Sequence, residues 1–391
     1  MAGAIAPHLA GLVVLDLSSV GPAARASRIL ADYGAEVIKI APTSAKGSVQ
    51  ITPPFYSYAA GRGIKRLRID LKSPRGKEVF LKLAARADVV IESFRPGVVA
   101  RMGIGYEDVL ELNERIIYCS TSGYGQEGPR SKWAGHDLNY LAVGGYLHCS
   151  GRRADGGPAL PGATVADSAA GGMHAVIAIL AALFRRQQTG RGDYLDVAVA
   201  DGVLQLMSLH VDRYLATGEE PEPRGDILTG RYACYDVYAA KDGKWLSVAA
   251  IEPVFFANLC RALDCEKWIE KQTDDASQEE IREAFRRAFL RKDRDAWVAQ
   301  LGPGDACVAP VATIPELVDD AGFVARAAFT NAEHSKRGRF RQVGPVLAGP
   351  KREVPAHRVA DATTSESADV LSRAGFARSE IDDLTASGAV E

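Results

Sequence analysis

The feature that most constrains this chain is an alternation, repeated through its first 200 residues, of short β-rich apolar runs with helically spaced ones. "LVVLDL" (12–17) is a near-continuous β-rich run, the pattern of a strand covered on both faces. The turn "SSVGP" leads into "AARASRILADYG", a helical pattern with Gly34 in the stop position. "AEVIKI" (35–40) completes a βαβ unit. The cycle then recurs. "RLRIDL" (66–71) reads as a strand, and Ser73-Pro74 reads as an N-cap with a first-turn proline. Val79, Phe80, Leu83 and Ala84 follow at helical spacing. "DVVIES" (88–93), "RIIYCST" (115–121) and "YLDVAVAD" supply further strands. "TVADSAAGGMHAVIAILAALFRRQQTG" is a long helix stopped at Gly190. The expected fold class is α/β, with a doubly wound, mostly parallel sheet.

Four segments are expected. Residues 1–216 form a large α/β domain, and "TGEEPEPRGDILTG" (217–230) is a linker rich in Pro, Gly and acid. Residues 231–330 form a smaller α+β domain that opens on a hairpin, "YDVYAAKDGKWLSVAAI", and carries charged helices near 277–300. Residues 331–391 return through the loop-like "GPVLAGPKREVPAH" to C-terminal helices packing on the large domain, including "DVLSRAGFARSEIDDL" (369–384).

Composition excludes several classes of function. Apolar residues are 47% and charged residues 25%, as in a soluble enzyme rather than a disordered chain. A formal charge of -2 gives no global attraction to nucleic acid or membrane, so any anion site is local. Cysteines 119, 149, 234, 260, 265 and 307 show no C-x-x-C pair and, with the histidines, no zinc spacing; no metal is expected. They read as reduced thiols, and neither the start "MAGAIAPHLAGLVVLDL" nor the end "SGAVE" reads as an address, so a cytoplasmic location is expected. "AVIAILAALF" (175–184) is about half the roughly 20 residues a membrane span needs and reads as a buried core helix.

Cations cluster at 61–77, where Arg62, Lys65, Arg66, Arg68, Lys72, Arg75 and Lys77 face one acid, Asp70. The stretch reads either as a charged sheet edge or as a cradle for a phosphate-bearing ligand. The first βα turn, "DLSSVGPAARA", lacks G-x-G-x-x-G, and no P-loop is present, so recognition falls to side chains. Arg95 and Arg101, around a Pro-Gly turn in "FRPGVVARMGIG", suit either a surface turn or the ligand-binding carboxyl edge of such a sheet.

Candidates for acid–base work are His136, beside Asp137 after the glycine-rich "GYGQEGPRSKWAG", Asp167 in "VADSAAGGM", and Glu252 in "VAAIEPVFFANL". Singly, each has a structural explanation: Asp137 and Asp167 as N-caps, Glu252 as the junction between a strand and a helix. Together, an imidazole and a carboxylate across a pocket can remove and return a proton, with a second carboxylate fixing the imidazole. Glycines after Asp167 and before His136 would let backbone approach a substrate, and a helix start at 136–138 would offer N–H groups to an enolate oxygen.

These motifs resemble the family III CoA-transferase (CaiB–BaiF) superfamily, specifically its α-methylacyl-CoA racemase branch. "LADYGAEVIKI", "DLKSPRG", "ADVVIESFRPGV..RMGIGYEDV", "SGYGQEGP", "QTGRGDYLDVAVADG" and "VLSRAGFARSEIDDLTASG" occur in the family's order along nearly the whole chain. "AGHDLNY", "VADSAAGGM" and "AIEPVFFA" are similar to the racemase segments. The resemblance implies that His136 and Asp167 transfer the proton and that Glu252 orients His136. It implies CoA contacts at Ile69, Asp70, Leu71 and Lys72, at Arg95 and Arg101, and at Gly135, Asp137, Leu138, Asn139 and Tyr140. It also implies an interlocked homodimer and no cofactor beyond the CoA moiety of the substrate. Two departures are "KIAPTSAKG", without the usual charged residue before the proline, and "SAAGGM" in place of a glycine triplet. The implied reaction is epimerisation beside the carbonyl of a 2-methyl-branched acyl-CoA, through an enolate. The rival is CoA transfer through an anhydride on Asp167; a CoA-binding regulatory protein is a third class.

Overall fold

The protein is described by a computed structural model over residues 7–18, 20–43, 54, 56–57, 61–345, 356–359 and 365–391. The chain divides into two compact units. One comprises residues up to 145, 161–208 and 321 onward; the other comprises 146–160 and 209–320.

The first unit is built on six strands: β1 (Val13–Asp16), β2 (Glu36–Ala41), β3 (Ile64–Arg68), β4 (Val89–Glu92), β5 (Ile117–Ser122) and β6 (Asp193–Ala198). All pair in parallel, in the order β3-β2-β1-β4-β5-β6. This is the doubly wound order, and the direction of winding reverses between β1 and β4.

The continuous apolar runs have a direct cause. Leu15, Ile38 and Val90 point into one buried cluster, while their neighbours Val14, Val37 and Val89 point into another on the opposite face. The Gly21–Asp32 and His174–Thr189 helices cover the second face; the Pro74–Ala84 helix and C-terminal residues Val370, Leu371, Ile381 and Leu384 cover the first. Ser73 caps the Pro74–Ala84 helix by accepting from Gly76 N at 3.0 Å. Gly34 and Gly190 close their helices at φ +101° and +72°, where a Cβ would be strained.

The basic stretch resolves largely as a charged sheet edge. Arg62 forms a fork with both oxygens of Asp32 at 2.9 Å, Lys65 pairs with Glu36 at 2.6 Å, and Arg75 pairs with Asp383. The returning chain satisfies the edge backbone: Glu366 N donates to Arg66 O and Asp70 N to Ala389 O. Residues 329–359 also contribute a small sheet absent from the sequence reading. β7 (Phe329–His334) and β8 (Gly338–Val343) form an antiparallel hairpin, and β9 (His357–Val359) runs parallel to β7. Much of "GPVLAGPKREVPAH" lies outside the described residues.

One expectation needs correction. The apolar run 175–184 belongs to a continuous helical stretch, Ala166–Thr189, of 24 residues with mean hydropathy 1.6, long and apolar enough by composition to cross a membrane. It is not simply a buried core helix. Ala175, Val176, Ile179, Ala182 and Leu183 are buried, but Met173, Ile177, Leu180 and Phe184 on another face are exposed.

The second unit holds an antiparallel sheet of Tyr235–Ala239, Trp245–Ala249 and Val308–Pro310, the first two joined through the "KDGK" turn with Gly243 at φ +76°. The helices Pro253–Ala262, Gln278–Phe289 and Arg294–Leu301 pack Phe256, Phe285, Phe289 and Trp297 against Tyr238 and Leu246. Residues 217–230 belong to this unit and include a short turn, Ile227–Thr229.

Candidate active site

Loops leaving the carboxyl ends of the parallel strands carry most of the candidate residues. β1 feeds the helix bearing Arg25, and β3 leads to Asp70 and Lys72. β4 leads to Arg95, and β5 to the glycine-rich loop that ends at His136. An open α/β sheet binds ligands at this edge.

Tyr140 builds the base of the His136 loop. Its hydroxyl donates to Gly135 O at 2.6 Å, and its ring stands edge-on to Tyr124 at 5.2 Å. A Cβ at Gly123 or Gly135 would lie 2.4 or 2.7 Å from the Tyr140 ring. These glycines therefore admit an aromatic ring rather than a substrate. Burial pushes the Tyr140 phenol up to about 12, with the Asp167 carboxylate the next cause, so it stays neutral.

His136 is the N-cap residue of the Asp137–Val143 helix, and its N–H donates to Asn139 Oδ1 at 3.0 Å. Its side chain caps nothing and is exposed. Asp137 turns the other way: its Oδ1 accepts from Asp167 N at 2.8 Å. That hydrogen bond ties the residue after His136 to the backbone of the second candidate base.

Asp167 sits near the start of a π-helical stretch, Ala166–Met173, which runs into the His174–Thr189 helix. Wide turns of this kind recur at functional sites. The stretch packs tightly because its residues are small. A Cβ at Gly171 would meet Pro22 Cβ at 2.5 Å, and one at Gly172 would meet Arg25 Cβ at 2.9 Å. Both glycines are buried, so "SAAGGM" serves helix packing rather than approach to a substrate.

Burial raises the Asp167 pKa. Arg25 is the largest opposing influence, Asp137 raises it further, and His136 lowers it. His136 and Asp167 thus lie within electrostatic reach of each other. Neither Asp137 nor Asp167 is an N-cap, since their carboxylates are committed elsewhere: Asp137 to Asp167 N, and Asp167 to Arg25 at 3.3 Å. Arg25 is a residue the sequence reading missed. Its position at the carboxyl end of β1 was a signal, but its partner lies far along the chain.

The residues expected to contact CoA divide by environment. Ile69 is buried, gives its N–H to Ala41 O and pairs with Val390, so its side chain serves the core. Asp70 is buried too, its Oδ1 accepting from Lys72 N and its carbonyl from Ser73. Leu71 packs partly on the same core. Lys72, Arg95, Arg101, Leu138 and Asn139 are exposed. No carboxylate pairs with Lys72, Arg95 or Arg101 among the described residues, and the Arg101 guanidinium lies over Gly97. Among the described residues Lys77 likewise shows no carboxylate partner, so the unpaired cations include these three and Lys77 but not the whole basic stretch. Among the described residues no group of three or more His, Cys, Asp or Glu could hold a metal ion.

Glu92, also missed from sequence, ends β4 with its carboxyl buried and accepting from Phe94 N at 2.6 Å. Burial pushes it up to about 7. In the second unit Glu252 is the exposed N-cap residue of the Pro253–Ala262 helix, with no side-chain cap hydrogen bond.

Comparisons with known proteins agree with this architecture. The family model for CoA-transferase family III matches residues 9–360. The alpha-methylacyl-CoA racemase of Mus musculus is 34% identical over 386 residues, covering 98% of this chain and 97% of that protein. Succinyl-CoA:glutarate CoA-transferase of Homo sapiens is 35% identical over 269 residues, covering 67% of this chain and 60% of that protein. A CAIB/BAIF family protein from Brucella suis, of known crystal structure, superposes with a TM-score of 0.79 at 25% identity, covering 95% of this chain and all of that one.

Proposed function

The chain belongs to CoA-transferase family III, and from that premise we propose that it is an isomerase that epimerises the α-carbon of a 2-methyl-branched acyl-CoA thioester. The observation that carries this reading is the placement of His136 and Asp167: the first exposed at a helix start, the second partly buried, with Asp137 Oδ1 joining their segments at 2.8 Å. Near-full-length similarity to a racemase supports the same choice.

One of the two groups removes the α-proton, and charge moves into the thioester oxygen as an enolate. The conjugate acid of the other returns a proton to the opposite face, so protons balance over the cycle and no cofactor beyond the substrate's CoA is required. Glu252 is assigned the orientation of the His136 imidazole, on its resemblance to the racemase segment. Lys72, Arg95 and Arg101 are exposed cations suited to the CoA phosphates.

Two chains act together in this reading. Met173, Ile177, Leu180 and Phe184 recur at intervals of four, three and four, which leaves an apolar stripe to be covered. Six free cysteines suit a reducing, cytoplasmic setting, and the substrate class implies a place in lipid metabolism.

Exchange of the α-hydrogen of 2-methylacyl-CoA substrates in deuterated water tests the proposal. His136→Ala and Asp167→Asn are each expected to slow exchange by about 10²–10⁴-fold. Transfer of CoA to an added carboxylic acid, without exchange, would instead mark Asp167 as a nucleophile and overturn it.

A further inference from the structure

We infer that Arg25 is a positioning residue that clamps one oxygen of Asp167 and holds this carboxylate ionised and aimed as a proton acceptor; the inference rests on the epimerase reading of the site. Three nitrogens of one guanidinium engage three side chains of a single segment. Nη1 lies 3.3 Å from Asp167 Oδ2, Nε donates to Ser168 Oγ at 3.0 Å, and Nη2 donates to Thr164 Oγ1 at 2.8 Å. A planar fork held on three partners fixes its own orientation and that of the carboxylate. The pair is well shielded, with side chains only 13% and 17% exposed, so water screens it weakly.

The second carboxylate oxygen has a different fate. Asp167 Oδ1 accepts no hydrogen bond among the described residues and keeps its lone pairs for a proton. Gly172 makes the clamp possible, because a side chain there would collide with the stem of Arg25.

The charges around Asp167 show why the clamp matters. From the Asp137–Val143 segment it is faced by Asp137, which disfavours its anion, by His136, which favours it when protonated, and by the neutral Tyr140. On the Val199–Leu206 helix the titratable group is Asp201, which acts on Asp196 instead. On the Gly21–Asp32 helix, Asp32 pairs with both Arg28 and Arg62. Among the helix partners of Asp167 the cation next to it is Arg25, and without it a largely buried carboxylate takes up a proton.

The test is a titration of the full-length protein labelled with ¹³C at aspartate Cγ, with Asp167→Asn identifying the signal. Arg25→Met is expected to raise the Asp167 midpoint by about one pH unit or more, and Arg25→Lys by less, since an ammonium keeps the charge but cannot span three partners. The acidic limb of kcat/KM for α-hydrogen exchange should move up with it, a loss of about tenfold one pH unit below the original limb and little loss above both. An unmoved midpoint in Arg25→Met, or exchange reduced by one factor at every pH, would overturn the inference. Absence of exchange in the unsubstituted protein would end the epimerase reading and the role as base, while the carboxyl midpoint alone would still decide the clamp.

Discussion

His136, Asp137 and Asp167 show how little adjacency in sequence says about a side chain's task. His136 presents its imidazole to solvent, while the next residue folds inward to hold the Asp167 backbone. A third carboxyl, that of Glu92, is held away from water at the carboxyl end of β4 and has a folded pKa of about 7 against an ordinary 4.5. Because the raised value means the fold prefers the neutral acid, its contribution is complete below about pH 4.5 and is lost as pH rises through about 7. Glu92→Gln, which stays neutral, should therefore be no more stable than the unsubstituted protein near pH 4. It should overtake it between pH 5 and 8, by about 3 kcal/mol at the upper end. Denaturant midpoints across that range check this; a constant difference at all pH values would refute it.

At the scale of elements, the π-helical stretch is the piece whose geometry the site depends on. It is wedged between the Gly21–Asp32 and Val199–Leu206 helices by contacts that only glycine permits. A Cβ at Gly202 would lie 2.1 Å from Ala170 O, a backbone atom that cannot swing aside. Gly202→Ala should thus displace the stretch, cost about 1–3 kcal/mol, and reduce exchange far more than CoA binding. Chemical denaturation together with separate kcat and KM values would show it. Gly156→Ala, where a Cβ meets no atom within 4 Å but φ is +81°, provides a control that strains a loop without touching the packing.

The first unit as a whole carries an apolar surface out of proportion to a finished exterior. Ile177 and Phe184 are each 65% exposed on a helix whose other face is already packed against the sheet. A helix apolar all round asks for cover on both sides. The dimer proposed above is expected to be lost in the double variant Ile177→Asp, Phe184→Asp, which should sediment as a monomer while the unsubstituted chain sediments as a larger species. Unchanged sedimentation would send that face to another role.

The strands of the parallel sheet and the helices with their glycine stops were legible in the sequence, and His136 and Asp167 could be picked from it as candidates. Each is written in local pattern: side chains alternate across a sheet with period two, and a glycine's positive φ is a property of that residue alone. The hairpin Phe329–Val343 escaped because its strands mix apolar with charged residues and run straight into the loop-like "GPVLAGPKREVPAH". What no local pattern carries is which charges meet. Arg62 and Lys65 look like ligand-binding cations until Asp32 and Glu36 are folded onto them, and Arg25 looks idle until the chain brings Asp167 back across it. Local sterics set the elements, but Coulomb pairing and desolvation depend on distance through space, and only the tertiary structure supplies it.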